Sequence, residues 1–264
     1  MMIERITSQQ NPKIKNVIRL QQKSSERRKQ NLIVIEGFRE IKLAIKGGFE
    51  IKSLFVCIEI NELDFAELGV ENDYIEISLD IYKKLAYRGS TEGVIALARP
   101  RNNLLSDLSL RNNPLVIILE SVEKPGNLGA ILRTADAAKV DAVIVCDPLT
   151  DIYNPNVVRS SIGCVFTNQV IACTSDEAIQ WVRNNNIKSY AAALTATQLY
   201  HKTDFTGPTA VVMGAEADGL TEKWLKNTDH RVIIPMGGEI DSLNVSTSTA
   251  ILVFEAMRQR NFNK

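Results

Sequence analysis

Residues 114–264 alternate between short apolar runs and segments with helical periodicity, and this alternation constrains the fold more than any other feature. The apolar runs lie at 115–119, 142–146, 187–192, 210–213 and 232–234, and the helical segments at 128–138, 176–184, 221–227 and 245–260. Runs that are apolar throughout are typical of parallel strands buried on both faces. Repeated strand–helix units of this kind predict an α/β domain with a parallel sheet and helices on both of its faces.

A smaller α/β region precedes this domain. Strands are predicted at 32–35, 51–58, 74–77 and 93–98, and helices at 39–45 and 80–86. The stretches 99–103 and 111–114 are polar and contain proline, which is typical of a linker. Because 264 residues suffice for two domains of ordinary size, we predict a first domain over 1–100, a linker over 101–113 and a second domain over 114–264.

Positive charge is concentrated near the N-terminus, although the whole chain carries no net charge. Neutrality excludes a uniformly basic nucleic-acid coat protein, but it permits a local patch. Residues 1–30 hold eight Lys or Arg against two acidic residues. The Asn-Pro pair at 11–12 predicts a helix start, and the apolar positions that follow leave Lys13, Lys15 and Arg19 facing outward. The pattern indicates either a solvated amphipathic helix or a contact surface for phosphates.

Several common catalytic patterns are absent from the sequence. It has no P-loop, no dinucleotide-binding glycine fingerprint and no nucleophile elbow. Its four cysteines include no C-x-x-C pair and its two histidines have no partner at zinc spacing, so we expect reduced thiols and no metal. No apolar run reaches the roughly 18 residues of a membrane span, and the start lacks the apolar stretch of a signal peptide. We therefore expect a soluble, cytoplasmic protein that does not bind membranes.

The first of three unusual loops spans 120–129 and leads into the predicted helix 128–138. Its Pro125-Gly126 pair is typical of a turn, and Asn127 is a suitable N-cap for the helix. Arg133 follows on that helix within two turns. A helix N-terminus beside a guanidinium suits a phosphate group.

Two further loops follow apolar strands of the same domain. Gly214 and Gly219 flank an acidic residue, and paired glycines let the backbone approach a ligand closely. The loop 235–244 leads into a stretch rich in hydroxyl and amide groups, for which helix capping by Ser242 or Asn244 is a sufficient structural explanation. Ligands of open α/β sheets bind at the carboxyl ends of the strands. Three loops at such ends therefore indicate one shared binding site.

The three loops also carry a family resemblance. They contain, in order, Asn127-x-Gly129-x3-Arg133, Gly214-x-Glu216-x2-Gly219, and Ile234-Pro-Met followed by Ser242-Leu-Asn-Val-Ser246. These patterns resemble the three motifs of the SpoU (TrmH) family of RNA 2′-O-ribose methyltransferases, within the SPOUT superfamily. Residues 11–39 are similar to the small L30e-like substrate-binding domain of that family, so the resemblance covers nearly the whole chain. The chain departs from many relatives at 247–249, where Thr-Ser-Thr replaces small apolar residues.

The resemblance implies a parallel α/β domain whose C-terminal segment forms a deep trefoil knot, and a homodimer with its sites near the subunit interface. The knotted loops of such enzymes hold S-adenosylmethionine in a bent conformation, largely through backbone groups. The implied catalytic residues are Asn127, Arg133, Glu216, Ser242 and Asn244. The implied cofactor-binding residues are Thr195, Gly214, Glu216, Ile234, Met236, Leu243 and Asn244. The charge pattern and the resemblance together give as RNA-contacting residues Lys13, Lys15, Arg19, Arg39 and Arg159.

The implied reaction is the 2′-O-methylation of a ribose, of guanosine, in ribosomal RNA. Two alternatives stay open: a transfer RNA substrate, and a non-catalytic RNA-binding scaffold of the same fold. The family assigns removal of the ribose proton to the arginine that corresponds to Arg133. Because a guanidinium stays protonated up to about pH 12, the competing hypothesis is that Arg133 clamps a phosphate and stabilises the developing oxyanion.

Overall fold

The computed structural model of the chain describes residues 4–60, 68, 74–87 and 92–262. These residues belong to two compact units. The first unit comprises the residues up to Arg101 together with Tyr153–Thr167, and the second comprises Asn102–Ile152 and the residues from Asn168 onward.

The segment 153–167 groups with the first unit, although the sequence places it within the domain 114–264. Its aromatic side chains explain this. The rings of Tyr153 and Phe166 lie edge-on to the ring of Phe49, with centroid separations of 5.9 and 4.9 Å. Contacts between residues so far apart in sequence leave no periodic signal, so the pattern of strands and helices could not reveal them.

A five-stranded sheet forms the first unit. Its strands are β1 (Glu4–Ile6), β2 (Ile33–Glu36), β3 (Ile51–Val56), β4 (Ile75–Ile77) and β5 (Val94–Ala98). The strand order is β1-β4-β3-β5-β2, with β5 antiparallel to both of its neighbours and the other pairings parallel. The accompanying helices are α1 (Pro12–Gln22), α2 (Ser24–Gln30), α3 (Phe38–Lys46) and α4 (Leu79–Leu85).

Helix α1 begins where the sequence predicts. The Asn11 side chain accepts a hydrogen bond from the Lys13 N–H at 2.8 Å, and Pro12 occupies the first turn. The buried face of the helix consists of Ile14, Val17 and Leu20. Lys15 and Arg19 are exposed on the opposite face. The predicted amphipathic helix is therefore confirmed.

Helix α2 is absent from the predicted elements, and it buries one of the basic residues that the charge count assigns to the surface. Arg27 is only 4% exposed, and its Nη1 donates to the carbonyl oxygens of Leu20 at 2.6 Å and Gln21 at 3.2 Å. Carbonyls in the last turn of a helix have no partner within that helix. Arg27 thus caps the C-terminal end of α1. The basic surface formed by residues 1–30 is therefore smaller than their count of Lys and Arg suggests.

A seven-stranded sheet forms the second unit. Its strands are β6 (Leu115–Glu120), β7 (Ala142–Cys146), β8 (Val170–Cys173), β9 (Lys188–Ala192), β10 (Gln198–Leu199), β11 (Thr209–Met213) and β12 (His230–Ile233). The order is β10-β12-β9-β11-β6-β7-β8, and every pairing between these strands is parallel. The sequence misses only β8 and β10, which are short strands at the two edges of the sheet.

Helices cover both faces of this sheet. They are α5 (Pro125–Ala137), α7 (Ser175–Asn184), α8 (Glu222–Asn227) and α9 (Val245–Gln259), while α6 (Pro155–Ser160) belongs to the first unit. Val116 and Ile118 of β6 pack with apolar residues of α7 and α8. Alternate residues of a strand point to opposite faces of a sheet. The face opposite to α7 and α8 is covered by α5 and α9, which pack against each other. The predicted α/β class with a parallel sheet is confirmed.

The segment predicted as a linker, 101–113, is folded onto the second unit from Asn102 onward. It contains a 3₁₀ turn at Leu105–Asp107, and the indole N–H of Trp181 donates to the Leu105 carbonyl oxygen at 3.1 Å. The leucines at 105, 108 and 110 pack against the core cluster of the sheet. The polar residues that suggest a linker therefore alternate with apolar anchors.

Asp141 joins the amino ends of β6 and β7. Its side chain is 2% exposed, and it accepts hydrogen bonds from the backbone N–H groups of Arg111 and Leu115 at 2.9 and 2.7 Å. The Arg111 guanidinium adds two more, at 2.9 and 2.8 Å. Burial raises the pKa of Asp141, but these hydrogen bonds outweigh it and hold the pKa below its usual value. The carboxylate is therefore ionised and paired.

In the part of the chain that the structure describes, no helix is both long enough and apolar enough to cross a membrane. The four cysteines are free thiols, as predicted, and three of them are buried.

Candidate active site at the carboxyl ends of the strands

The first loop places Asn127 inside a helix rather than at its cap. Helix α5 begins at Pro125, and Lys124 is the N-cap residue, without a side-chain capping hydrogen bond. The predicted N-cap at Asn127 is therefore wrong. Proline is well suited to the first helical position because its φ angle is already helical. Since Asn127 does not cap the helix, its amide is available to bind the neighbouring loops.

The second loop is a tight turn that projects Glu216. Ala215 and Gly219 exchange backbone hydrogen bonds of 3.0 and 3.1 Å, and Gly219 has a φ of 68°. A Cβ added to Gly214 would lie 2.1 Å from the carbonyl carbon of Gly219, closer than any real side chain permits. Both glycines are therefore required by the turn itself.

The Glu216 carboxylate connects this turn to the first loop. It accepts hydrogen bonds from Asn127 Nδ2 at 2.6 Å and from the backbone N–H groups of Glu123 and Lys124, both at 3.3 Å. Burial raises the pKa of Glu216, but the hydrogen bonds from Asn127 and from the backbone lower it by more, so the pKa lies below its usual value. Glu216 is therefore a carboxylate at neutral pH, which can only accept hydrogen bonds.

A chain of hydrogen bonds continues from Glu216 to the third loop. Asn127 Oδ1 accepts from Asn244 Nδ2 at 3.1 Å, and Asn244 Oδ1 accepts from the N–H and the hydroxyl of Ser246 at 3.0 and 2.6 Å. Asn244 is also the N-cap of α9, as predicted. Because the carboxylate only accepts, it fixes the orientation of the Asn127 amide, and Asn127 in turn fixes that of Asn244.

The structure thus brings together three of the five predicted catalytic residues, Asn127, Glu216 and Asn244. Ser242 takes no part in these hydrogen bonds. It is exposed, and its hydroxyl donates to the Asp241 carboxylate at 2.9 Å. Arg133 is exposed on α5, about 9 Å beyond Asn127 along the helix axis. Among the described residues its guanidinium forms no ion pair, so it is available to an anionic ligand.

The residues predicted to bind the cofactor follow neighbouring strands. Gly214, Thr195 and Ile234 come after β11, β9 and β12, which lie side by side in the sheet with their carboxyl ends at one edge. Gly214 is buried, and Ile234 and Met236 are half-buried. Thr195 and Leu243 are exposed.

The loops at this edge border open space. A Cβ added to Gly237 or Gly238 would meet no described atom within 4 Å, and both glycines are exposed. Their backbone groups therefore remain accessible, while Ile234 and Met236 offer apolar surface beside them. Apolar walls with a few polar backbone groups are what small-molecule sites commonly provide, so these residues fit a nucleoside-containing cofactor.

Sequence reasoning placed Glu120 at the start of the first loop but assigned it no role. Glu120 ends the otherwise apolar strand β6 and is 3% exposed, yet none of the three motifs includes it. The signal that could have revealed it is a charged residue closing a run of five apolar ones, Leu-Val-Ile-Ile-Leu. A charge at such a position must be paired when it is buried.

The predicted RNA-contacting residues all lie in the first unit. Lys15, Arg19 and Arg39 are exposed, whereas Lys13 forms an ion pair with Glu4 at 2.5 Å. Arg159 is already engaged. Its guanidinium stacks 3.6 Å from the centroid of the Tyr87 ring and donates to Asn156 Oδ1 at 2.9 Å.

Two family models match the chain. The model of the SpoU rRNA methylase family matches residues 114–254, and the model of the MRM3-like substrate binding domain matches residues 11–96. The first of these covers more than half of the 264 residues.

Individual proteins agree with these models. The 23S rRNA (guanosine-2′-O-)-methyltransferase RlmB of Haemophilus influenzae is 37% identical over 229 residues, which cover 84% of this chain and 91% of that protein. A crystal structure of an RNA 2′-O ribose methyltransferase is 38% identical with a TM-score of 0.85, over 97% of this chain and 99% of that one. The AdoMet-bound rRNA methyltransferase of Sinorhizobium meliloti is 27% identical with a TM-score of 0.88, over 97% and 98% of the two chains. The resemblance of the three motifs is confirmed: this chain belongs to the SpoU rRNA methylase family.

Proposed function

We propose that this chain transfers a methyl group from S-adenosylmethionine to the 2′-hydroxyl of a guanosine ribose in ribosomal RNA. The observation that carries the proposal is the chain of hydrogen bonds from Glu216 through Asn127 to Asn244, which joins all three motif loops. The relatives support the same reaction, since RlmB is named as a guanosine methyltransferase of 23S rRNA and a related structure holds AdoMet. The enzyme class and the methyl donor expected from the sequence agree with them.

The residues of this chain act mainly by positioning. S-adenosylmethionine, when bound, supplies an activated methyl group on a sulfonium. Backbone groups of the loops after β9, β11 and β12 would hold it, with Ile234, Met236 and Leu243 as apolar contacts. Methyl transfer requires the ribose oxygen to lie in line with the methyl group, and correct placement of two reactants can supply most of a rate enhancement. Glu216, Asn127 and Asn244 keep the loops in the arrangement that this placement needs.

Arg133 acts on the RNA in this proposal. A guanidinium has five N–H donors and no acceptor, so this type of side chain is poorly suited to take the ribose proton. It is well suited to bind the phosphate next to the reacting ribose and to stabilise the negative charge that develops on O2′. The proton then passes to water or to that phosphate. Ser242 lies exposed in the third loop and offers a hydroxyl to the same substrate.

Calorimetry and methylation mapping test this function together. We expect S-adenosylmethionine to bind the purified chain, and we expect one ribosomal RNA nucleotide to lose its 2′-O-methyl group when the gene is deleted. Loss of the mark from transfer RNA instead would identify the alternative substrate. If the chain does not bind S-adenosylmethionine and no 2′-O-methyl group is lost on deletion, the non-catalytic scaffold is the remaining alternative.

The exposed basic side chains of α1 support RNA binding by the first unit. Replacing Lys15 and Arg19 with glutamine is expected to make the dependence of log Kd on log salt for unmodified ribosomal RNA shallower by about 1.5, because two phosphate contacts are lost. S-adenosylmethionine affinity is expected to stay unchanged. The matched control replaces Lys223 and Lys226 of α8, two exposed lysines already paired with Asp176 and Glu222. An equal salt slope in both double variants would show that α1 is only a solvated surface.

We also propose that the chain acts in the cytoplasm as a homodimer. The support for a dimer is the exposure of two large apolar side chains of the second unit, Phe254 of α9 at 42% and Ile240 of the third loop at 63%. Association with a second copy would remove such side chains from water. Light scattering on the sample used for calorimetry is expected to give twice the chain mass of 29.4 kDa. The trefoil knot expected from the family resemblance stays a prediction.

A further inference from the structure

Glu120 connects the first loop to the end of the second. It is the last residue of β6, and its buried carboxylate accepts two hydrogen bonds from Thr221. The Thr221 N–H lies 2.8 Å from Oε2, and the Thr221 hydroxyl lies 2.7 Å from Oε1. Thr221 follows the turn 214–220 directly and is the N-cap residue of α8. A buried carboxylate is retained only when its charge is compensated, and Thr221 supplies both close donors.

The other neighbour of Glu120 is Ser175, at the start of α7. Its hydroxyl lies 3.2 Å from Glu120 Oε1 but only 2.6 Å from Asp147 Oδ2, and it accepts from the Trp224 indole at 3.1 Å. A hydroxyl has one proton to donate, and the shorter contact to Asp147 takes it. Glu120 therefore receives its short hydrogen bonds from Thr221, and Thr221 is held by Glu120 rather than by α7.

Each of the two loops therefore accepts backbone hydrogen bonds from the other. Glu216 of the second loop receives backbone N–H groups from Glu123 and Lys124 of the first. Glu120, where the first loop begins, receives the backbone N–H of Thr221, where the second loop ends. One carboxylate from each side thus fixes the backbone of the other side, at two separate points.

We propose that Glu120 is a positioning residue for methyl transfer. Through Thr221 it holds the turn 214–220 in register with the start of α5, and so holds the backbone that faces the cofactor. The inference rests on the proposed function for its effect on S-adenosylmethionine, but the effect on the turn is independent of any ligand. Glu120 touches neither the cofactor nor the RNA in this proposal.

Glu120→Gln tests the proposal, because the side chain keeps its size but loses one acceptor oxygen. Only one of the two Thr221 donors can then be satisfied. We expect backbone amides at 215–221 and 123–127 to exchange with deuterium about tenfold faster, and the Kd for S-adenosylmethionine to rise about tenfold. At saturating cofactor, kcat is expected to stay within about threefold of the wild type, since the reacting groups are intact. Thr221→Ser keeps both donors and is expected to behave like the wild type, whereas Thr221→Val is expected to share part of the defect.

Asp141→Asn is the matched control. Asp141 is also a buried carboxylate that binds backbone N–H groups, but it lies at the amino ends of the same strands. It is expected to lower stability without changing exchange in the two loops or cofactor affinity. Equal changes in both variants would overturn the proposal, as would unchanged loop exchange in Glu120→Gln. If the wild type binds no S-adenosylmethionine, the proposed function fails, and the exchange comparison still decides the role of Glu120.

Discussion

Replacing Arg133 with alanine is expected to lower kcat for ribose methylation by about 10²–10³-fold, the usual cost of removing one group that stabilises a developing oxyanion. Calorimetric affinity for S-adenosylmethionine should change little, because the predicted cofactor contacts come from the loops after β9, β11 and β12. The exposed guanidinium supports no fold contact among the described residues, so the variant should also keep its thermal stability. Single-turnover methylation with labelled donor measures the effect.

Arg183→Ala is the control for this variant. Arg183 is likewise an exposed arginine on a helix of the second unit, and within the described part of the chain it donates only to Asn227 Oδ1, at 2.6 Å. Its replacement should leave kcat unchanged. Equal kcat values for the two variants would show that Arg133 has no role in methyl transfer.

The pH profile separates the two roles of Arg133. A side chain that only binds the phosphate neither takes nor gives a proton during methyl transfer, so in this role Arg133 adds no ionisation to the profile of log kcat against pH. An arginine that acts as the base needs a much lower pKa, and its ionisation would then disappear in Arg133→Ala. Arg133→Lys keeps the charge but loses the two-pronged geometry, so we expect it to recover only part of the activity.

Asp141→Ala is expected to destabilise the second unit by about 3 kcal/mol, because it leaves a cation and two backbone N–H groups without their partner. The value is at the low end for a broken buried pair, since Arg111 is 39% exposed and water can solvate it in part. Urea unfolding followed by tryptophan fluorescence is the suitable measurement. Both tryptophans of the chain, Trp181 and Trp224, lie in the second unit, so the signal reports this unit alone.

The same pair gives the sign of a pH effect. The pKa of Asp141 is lowered in the folded state, so its contribution is complete above the unfolded value of about 4 and disappears as the pH falls through the folded value. The difference in unfolding free energy between the wild type and Asp141→Asn is therefore expected to be full at neutral pH and to narrow in acid. A difference that is constant from pH 7 to strong acid would show that the carboxylate charge is unimportant.

Periodicity was sufficient for the central sheet because strands such as β6 and β11 are buried along their whole length. It failed at the margins. The edge strand β10 has two residues, too few for any pattern, and α2 has no apolar stripe because its buried residue is Arg27. Proline geometry explains the error at Asn127, since Pro125 places the helix start three residues earlier than predicted.

The site itself was predictable as a set of loops but not as a set of contacts. Parallel strands place their following loops at one edge, and this brought Glu216 and Asn244 near Asn127 in the prediction. Which atoms meet depends on side-chain geometry across 89 and 117 residues of sequence. The role of Glu120 was missed because its partner, Thr221, is 101 residues away and forms no part of a motif.

The hydrogen bonds that join the three loops can form only in the order in which the ribosome synthesises their residues. Asn127 is synthesised 117 residues before Asn244, which must bind it to complete the set of joined loops. During that interval the nascent polypeptide contains the Arg133 helix and then the Glu216 turn, yet lacks the segment that ties them to α9. A nascent chain that ends before Asn244 therefore lacks the hydrogen bond that joins the third loop to the first, and we expect such released fragments to be inactive.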